Sequence, residues 1–176
     1  MSQPILEREP LLHIRRNHAL EHATLQLLGN KNPLLKLIGS SDIQGFWVIG
    51  EVDTQTLQEA ADEALARLKA GERELAIHPN CGTNFAISGL LAGCAAWLAM
   101  LGSGGARRKL ERLPWVISLV TMVLVLTQPL GPLFQARVTT EARPGDLSII
   151  SITCMERNGL FMHRVVTRSQ VIPGTP

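Results

Sequence analysis

Two stretches that carry no charged side chain decide how this chain is organised: FAISGLLAGCAAWLAMLGSGGA, residues 85–106, and LPWVISLVTMVLVLTQPLGPLFQA, residues 113–136. A helix needs about 20 apolar residues to cross the hydrocarbon core of a membrane. A chain of 176 residues has little other protein in which two such helices could be buried. We therefore predict a two-helix apolar, transmembrane hairpin over residues 85–134, and the alternative is a buried hairpin in a soluble protein.

Both apolar helices are short for membrane spans. A run of glycines limits the first to residues 85–101. The second begins at Pro114, a residue suited to the first helical turn, and ends at the helix breakers that start with Pro129. The GxxxG pair of Gly89 and Gly93 predicts that the second helix approaches the first closely at these positions.

The composition narrows the class of protein. The chain is 45% apolar and 18% charged, which excludes a disordered tail. Its formal charge of +2 is too near balance for a nucleic-acid-binding protein, so we expect no nucleic-acid partner. Cys81, Cys94 and Cys154 are too irregularly spaced for a disulfide framework, and we expect a reducing environment around Cys81. The N-terminal segment lacks the pattern of a secretory signal peptide.

The loop between the two apolar segments carries four basic residues, Arg107, Arg108, Lys109 and Arg112. Short loops rich in Lys and Arg stay on the cytoplasmic side of a membrane, which would place both tails outside. An N-terminal part without a signal peptide is difficult to translocate, so the two arguments oppose each other. The sequence predicts a lipid bilayer as a partner and leaves the sidedness and the oligomeric state open.

The remaining segments predict a mixed α and β domain before and after the hairpin. Before it we predict a helix over residues 11–28, a strand over 46–52, a helix capped by Asp53 or Thr54 and ending at Leu68, and a strand over 74–78. After it we predict strands over 135–140, 147–154 and 160–167, the last two joined by a turn at 157–159. Residues 46–78 thus form a β-α-β unit, and the C-terminal strands are antiparallel.

We expect an α+β membrane protein with three parts. Residues 1–84 hold the first helix and the β-α-β unit, residues 85–134 the hairpin, and residues 135–176 the strands that complete the α+β domain.

The first predicted helix carries His18, Glu21 and His22 in an HxxEH pattern. At 100° per residue, these three side chains share one face of the helix. Histidines at positions i and i+4 suit one divalent ion, and the carboxylate between them can hold or deprotonate a water on that ion. Two histidines with ordinary core partners are the alternative. His163 lies in an alternating strand and is predicted at the surface.

A second cluster lies where the predicted strand 74–78 meets the first apolar helix. His78 and Cys81 are separated by a Pro-Asn turn, which can direct both side chains toward one point. Thr83 or Asn84 is predicted to cap the following helix. A cysteine beside a helix N-terminus favours the thiolate that metal binding requires. A capping turn with an incidental histidine and cysteine is the alternative.

Together these motifs resemble the YqhQ-type family of bacterial membrane proteins, described as metal-dependent enzymes of unknown function. The matches are His18, Glu21 and His22, then His78, Pro79, Cys81, Gly82 and Thr83, then Gln135, Thr139 and Thr140. The chain lacks that family's Gly-rich opening and has a β-α-β unit between the motifs, so it looks like a distant relative, similar to cyanobacterial-type proteins with the same motifs.

The resemblance implies an integral protein of a bacterial inner or thylakoid-type membrane, with a metal site and no known reaction. Gln135, Thr139 and Thr140 fit ordinary strand residues, and the resemblance adds that they line the mouth of the site, where Thr83 and Asn84 are further candidates.

The leading hypothesis is a zinc-dependent hydrolase, similar to a metallopeptidase. Zn²⁺, or another divalent transition metal, is held by His18, His22 and one or both of His78 and Cys81, with Glu21 as general base and a peptide or other amide as substrate. The second hypothesis is a structural or regulatory protein in which all four ligands close a His3Cys site. The third is a thiol or redox protein that uses Cys81.

Overall fold

A four-stranded antiparallel sheet organises the first of two units into which the chain divides. The structure is a computed structural model that describes residues 4–169. One unit comprises the chain up to His78 together with the part from Ala136 onward, and the other is Pro79–Gln135. The sheet belongs to the first unit and has the order β1-β2-β4-β3, with strands β1 Ile38–Asp42, β2 Gly45–Ile49, β3 Ser148–Arg157 and β4 Leu160–Arg168.

Two helices, α1 Leu11–Lys31 and α2 Thr54–Lys69, pack against each other and against this sheet. Asp53 caps α2 as predicted, because its carboxylate accepts a hydrogen bond of 3.0 Å from the Thr56 amide. The apolar positions of α2 form one buried stripe: Leu57, Ala60, Ala61, Ala64, Leu65 and Leu68. The core joins these residues to apolar side chains of α1, β2 and β4, which makes the unit one continuous hydrophobic core.

Two predicted strands are wrong. Residues 74–78 form a 3-10 helix, Arg73–Ala76, followed by an extended residue. Residues 135–139 form a π-helical turn, Gln135–Thr139, after the short helix α5 Leu130–Phe134. In both segments the backbone carbonyls accept hydrogen bonds from side chains of α1 rather than from a neighbouring strand. The predicted β-α-β unit is therefore absent from the described residues, and β1, which the sequence analysis missed, takes the edge position of the sheet.

The predicted C-terminal hairpin is confirmed. Asn158 and Gly159 both have positive φ angles, 54° and 74°, which is the requirement of a two-residue type I′ turn. His163 on β4 is buried, with 1% of its surface exposed, although it was predicted at the surface. The reason is that its face of β4 meets the N-terminus of α2, where Thr54 lies 3.1 Å from His163 Nε2.

The second unit contains α3 Gly82–Met100, α4 Ala106–Leu126 and α5, and α3 contacts both other helices. Pro114 lies inside α4 rather than at its start, since the helix begins in the basic segment. The predicted GxxxG contact is wrong, because the space beside Gly89 and Gly93 is open.

Helix α3 is long and apolar enough to cross a membrane, and only 6% of its most apolar window is buried inside the protein. The helical segments Ala106–Leu126 and Leu130–Thr139 meet the same criterion together, with a bend of 51° between them. By length and composition, the described chain therefore offers one candidate span, or two if the bent pair is one span.

Candidate metal centre

One face of α1 is polar yet buried or half-buried, and it forms the floor of the site. Arg15, His18, His22 and Gln26 follow each other at intervals of three or four residues, which places them in one row along the helix. Each of the four side chains makes a hydrogen bond to a backbone carbonyl of a segment that crosses α1. The row therefore fixes the backbone of the two segments around the histidines.

The two histidines of this row are held in the same way. Nδ1 of His18 lies 3.0 Å from the carbonyl oxygen of Thr139, and Nδ1 of His22 lies 2.7 Å from that of Ala76. Because a carbonyl oxygen only accepts, Nδ1 of each neutral ring carries the proton and Nε2 carries the lone pair. Metal-binding histidines are usually oriented by this kind of hydrogen bond.

His18 and His22 are the two predicted ligands that lie together on α1. Their ring centroids are 4.2 Å apart, which is close enough for both rings to bind one ion. His22 and Cys81 are buried and His18 is partly buried. Imidazole and thiolate are ligands that transition-metal ions prefer, so His18, His22 and Cys81 are the candidate metal ligands.

His78, the fourth predicted ligand, lies next to His22. Its ring centroid is 5.6 Å from that of His22. Burial lowers the pKa of His78 below its ordinary value, and the neighbouring His22 lowers it further. A low pKa keeps an imidazole neutral, which is the form that binds metals.

Glu21 lies on the same helix, and its carboxylate is held toward strand β1. The Ser41 hydroxyl donates a hydrogen bond to Glu21 Oε2, and a Cβ at Gly39 would overlap with Oε1. Burial raises the pKa of Glu21, and the Ser41 hydrogen bond and the charge of His18 oppose this rise. A buried carboxyl group with a raised pKa beside histidines is a candidate for proton exchange.

Arg15 links α1 to the segment that holds His18. Its guanidinium donates to the carbonyl oxygens of Val138 and Thr140, both at 2.8 Å, and to that of Leu6 at 3.0 Å. Glu141 completes the contact, with an oxygen 3.7 Å from the guanidinium and a backbone amide that donates to the Arg15 carbonyl. The position of the Thr139 carbonyl, and with it the His18 ring, thus depends on Arg15.

The predicted mouth residues fall into two places. Gln135 is fully buried, and its side-chain amide donates a hydrogen bond of 2.5 Å to Asn84 Oδ1. Cys81 is the N-cap of α3, so Thr83 and Asn84 are not caps; the Asn84 amide donates to the Pro79 carbonyl instead. Thr139 Oγ1 is buried and, within residues 4–169, has no hydrogen-bond partner.

A cavity of about 550 Å³ lies in the first unit, between the two segments that orient the histidines. One wall contains Arg73, Glu74, Ala76 and Ile77, and the other contains Ala136 and Thr140–Arg143. Ala76 is the hydrogen-bond partner of His22, and Thr140 follows the partner of His18. The cavity wall therefore includes the residue that orients His22 and the neighbour of the residue that orients His18.

Sequence reasoning missed Arg15, Gln26, Gly39 and Ser41. The spacing of Arg15 and Gln26 relative to the two histidines could have revealed the first pair, since all four share a helical row. Nothing in the local sequence marks Gly39 or Ser41, because their contact with Glu21 depends on how β1 packs against α1.

These features define a class: an α+β protein with two histidines and a cysteine as candidate metal ligands and a helix long and apolar enough to cross a membrane. The chain belongs to the family defined by a domain of unknown function, DUF6391, which matches residues 13–152. It is 44% identical over 101 residues to an uncharacterised protein of Picosynechococcus sp., covering 50% of this chain and 49% of that protein. The chain thus spans about half the length of this curated relative.

No solved structure matches the chain. Neither of the two matches bears on the YqhQ-type family, so that resemblance stays a prediction.

Proposed function

We propose that this protein is a membrane-bound, metal-dependent hydrolase whose metal is held by His18, His22 and Cys81. One observation carries the proposal: the His18 and His22 rings lie one turn apart on α1 with centroids 4.2 Å apart, and both imidazoles are oriented through Nδ1 by backbone carbonyls. A buried polar cluster of this kind is costly to fold unless each group is paired or bound to an ion. A shared metal ion offsets that cost.

Zinc is the metal that this ligand set suits best. Two imidazole nitrogens and one thiolate match the borderline-soft character of Zn²⁺, and three protein ligands leave one tetrahedral position for water or substrate. Three-ligand sites are typical of catalytic zinc, whereas structural zinc has four protein ligands. When bound, the ion supplies Lewis-acid activation of water.

Glu21 is the proposed general base. It shares the helix face of the two histidines, and burial raises its pKa above the ordinary value of a carboxyl group. Its carboxylate is already fixed by Ser41, so little reorganisation is needed when a proton moves. The substrate class is an amide, such as a peptide, presented close to the membrane. The exposed apolar surface of α3 supports the membrane location.

A closed site that stabilises the fold is the second candidate, and the position of His78 favours it. Its ring centroid lies 5.6 Å from that of His22, beside the proposed ligands. Such a site would have no position for water and no catalytic activity.

Metal content tests the proposal. We expect one zinc per chain in detergent-purified protein, and loss of the metal in His18→Ala and in Cys81→Ser, measured by elemental analysis. His13→Ala, on the same helix, and Cys94→Ser, an exposed cysteine, are the matched controls and should retain the metal. Metal-free wild type would refute both metal candidates. A Cys81→Ser variant that keeps its metal would support thiol chemistry instead.

Cobalt substitution separates the open site from the closed one. Azide added to the Co²⁺ form should change its visible spectrum if a coordination position is open, and should leave it unchanged if His78 fills that position. The Glu21→Gln variant should keep its metal and lose cleavage of a fluorogenic peptide library, with the exposed Glu59→Gln as control. Retained cleavage would remove Glu21 from the role of base.

A further inference from the structure

The tip of the α3–α4 hairpin is the region where α3 ends and α4 begins. Its basic side chains lie further out along the helices than its tryptophans, which is the order found across a membrane interface. Arg107, Arg108, Lys109 and Arg112 lie at the start of α4, with Glu111 as the acidic residue among them. Trp97 near the end of α3 and Trp115 in α4 are 65% and 79% exposed. Large exposed tryptophans are uncommon in water and common at membrane interfaces.

Arg112 fixes the position of α4 relative to α3 along the helix axes. Its guanidinium donates to the carbonyl oxygens of Ala99 and Leu101, at 3.1 and 3.0 Å, at the C-terminal end of α3. With a rise of 1.5 Å per residue, Trp115 lies about 5 Å from Arg112 along α4, and Trp97 lies about 6 Å from Leu101 along α3. The two tryptophans are therefore at the same depth, on the side away from the tip.

The other basic residues lie on the opposite side of Arg112. Arg107 is about 8 Å further out along α4, because five residues separate it from Arg112. Its side chain is 93% exposed, although it pairs with Glu111 at 3.0 Å. The first turns of α4 thus extend past the end of α3 and carry three cations into the solvent, with the exposed Leu110 among them.

We propose that this tip binds the anionic headgroups of a lipid surface. The tryptophans lie at the depth of the interface, and the cations lie where lipid phosphates are found. This inference rests on the membrane location in the proposed function and is independent of the metal. It assigns the tip to the leaflet rich in anionic lipid.

Fluorescence quenching by brominated lipids tests the inference. The full chain carries Trp47→Phe, so that only the two hairpin tryptophans fluoresce. This parent protein is reconstituted in phosphatidylcholine bilayers that contain an increasing fraction of phosphatidylglycerol. Brominated phosphatidylglycerol should quench more strongly than brominated phosphatidylcholine at equal content. Each cation near a membrane surface contributes about fivefold in affinity for anionic lipid. The preference for phosphatidylglycerol over phosphatidylcholine should therefore fall tenfold or more in a triple variant, Arg107→Gln, Arg108→Gln, Lys109→Gln.

The matched control is the triple variant Lys36→Gln, Lys69→Gln, Arg157→Gln, which removes the same charge from exposed positions elsewhere. It should retain the preference for phosphatidylglycerol. Equal quenching by the two brominated lipids in the parent protein, or the same loss in both triple variants, would overturn the inference. If neither lipid quenches the tryptophans, the hairpin is not in the bilayer and the membrane part of the proposed function fails, whatever the metal content.

Discussion

At the scale of single residues, Gly39 makes room for Glu21. A Cβ at Gly39 would overlap the Glu21 carboxylate, so the strand and the helix can approach only where this side chain is absent. Gly39→Ala forces the carboxylate or the strand to move, and we expect a loss of about 1–3 kcal/mol in the free energy of unfolding, measured by chemical denaturation.

Gly29→Ala is the matched control, because Gly29 lies in α1 and the space beside it is open. Alanine there should leave stability unchanged or raise it by up to about 1 kcal/mol. Equal effects of the two substitutions would show that the contact with Glu21 is not the cause.

His163 should make the stability of the protein depend on pH. Burial lowers its pKa below the ordinary value, and the charge of Asp53 opposes this shift only in part. The unfolded chain then binds a proton more readily than the folded one, so stability falls as the pH drops below about 6.5, by at most about 1.4 kcal/mol per pH unit. Within the described chain, His163 Nδ1 has no hydrogen-bond partner, so the folded protein offers no acceptor for a second ring proton.

The measurement is denaturation at several values between pH 5 and pH 8, with metal-free protein. His163→Gln should flatten the decline below pH 6.5, since it keeps a polar group near Thr54 and cannot titrate. An unchanged decline in this variant would assign the pH dependence to other histidines.

At the scale of elements, Arg15 is the link between α1 and the π-helical turn Gln135–Thr139. Its planar group donates to three carbonyl oxygens at 3.0 Å or less, an arrangement that lysine cannot reproduce. Arg15→Lys should loosen this turn and reduce metal affinity by about 10–100-fold, since groups that orient ligands have effects of this size.

Arg16→Lys is the control, because Arg16 is the neighbouring residue and its ion pair with Asp146 is partly exposed. Hydrogen exchange at residues 137–141 should rise in Arg15→Lys and not in Arg16→Lys. Faster exchange without any change in metal affinity would separate Arg15 from the histidine that it is proposed to position.

The elements with clear periodicity could be predicted from the sequence. The stripe of α2, the cap at Asp53 and the turn at Asn158 depend on neighbouring residues, so local patterns were sufficient. The conformation of segments 74–78 and 135–140 could not be predicted. Side chains of α1 donate hydrogen bonds to their backbone carbonyls, and a short apolar run does not show whether its carbonyls bind a side chain or a neighbouring strand. The histidines of the site were marked by spacing, whereas the carbonyls that orient them carry no side-chain pattern.

At the scale of the whole molecule, the chain combines an α+β unit with a hairpin unit that has little buried surface of its own. Along α3 and α4, both described in full, only Ala92 and Val116 are buried. Helices that stay so exposed in water would aggregate, and a bilayer offers the apolar surroundings that they lack. The proposed function therefore requires both a membrane around the hairpin and a metal ion at the histidines.

X-ray absorption at the zinc edge, on purified wild-type protein, tests the proposed metal site most directly. We expect one sulfur ligand at about 2.3 Å, two imidazole nitrogens at about 2.0–2.1 Å and one further light atom, with the sulfur absent in Cys81→Ser. A wild-type spectrum with only oxygen neighbours, or one that keeps its sulfur in Cys81→Ser, would contradict a metal centre at His18, His22 and Cys81.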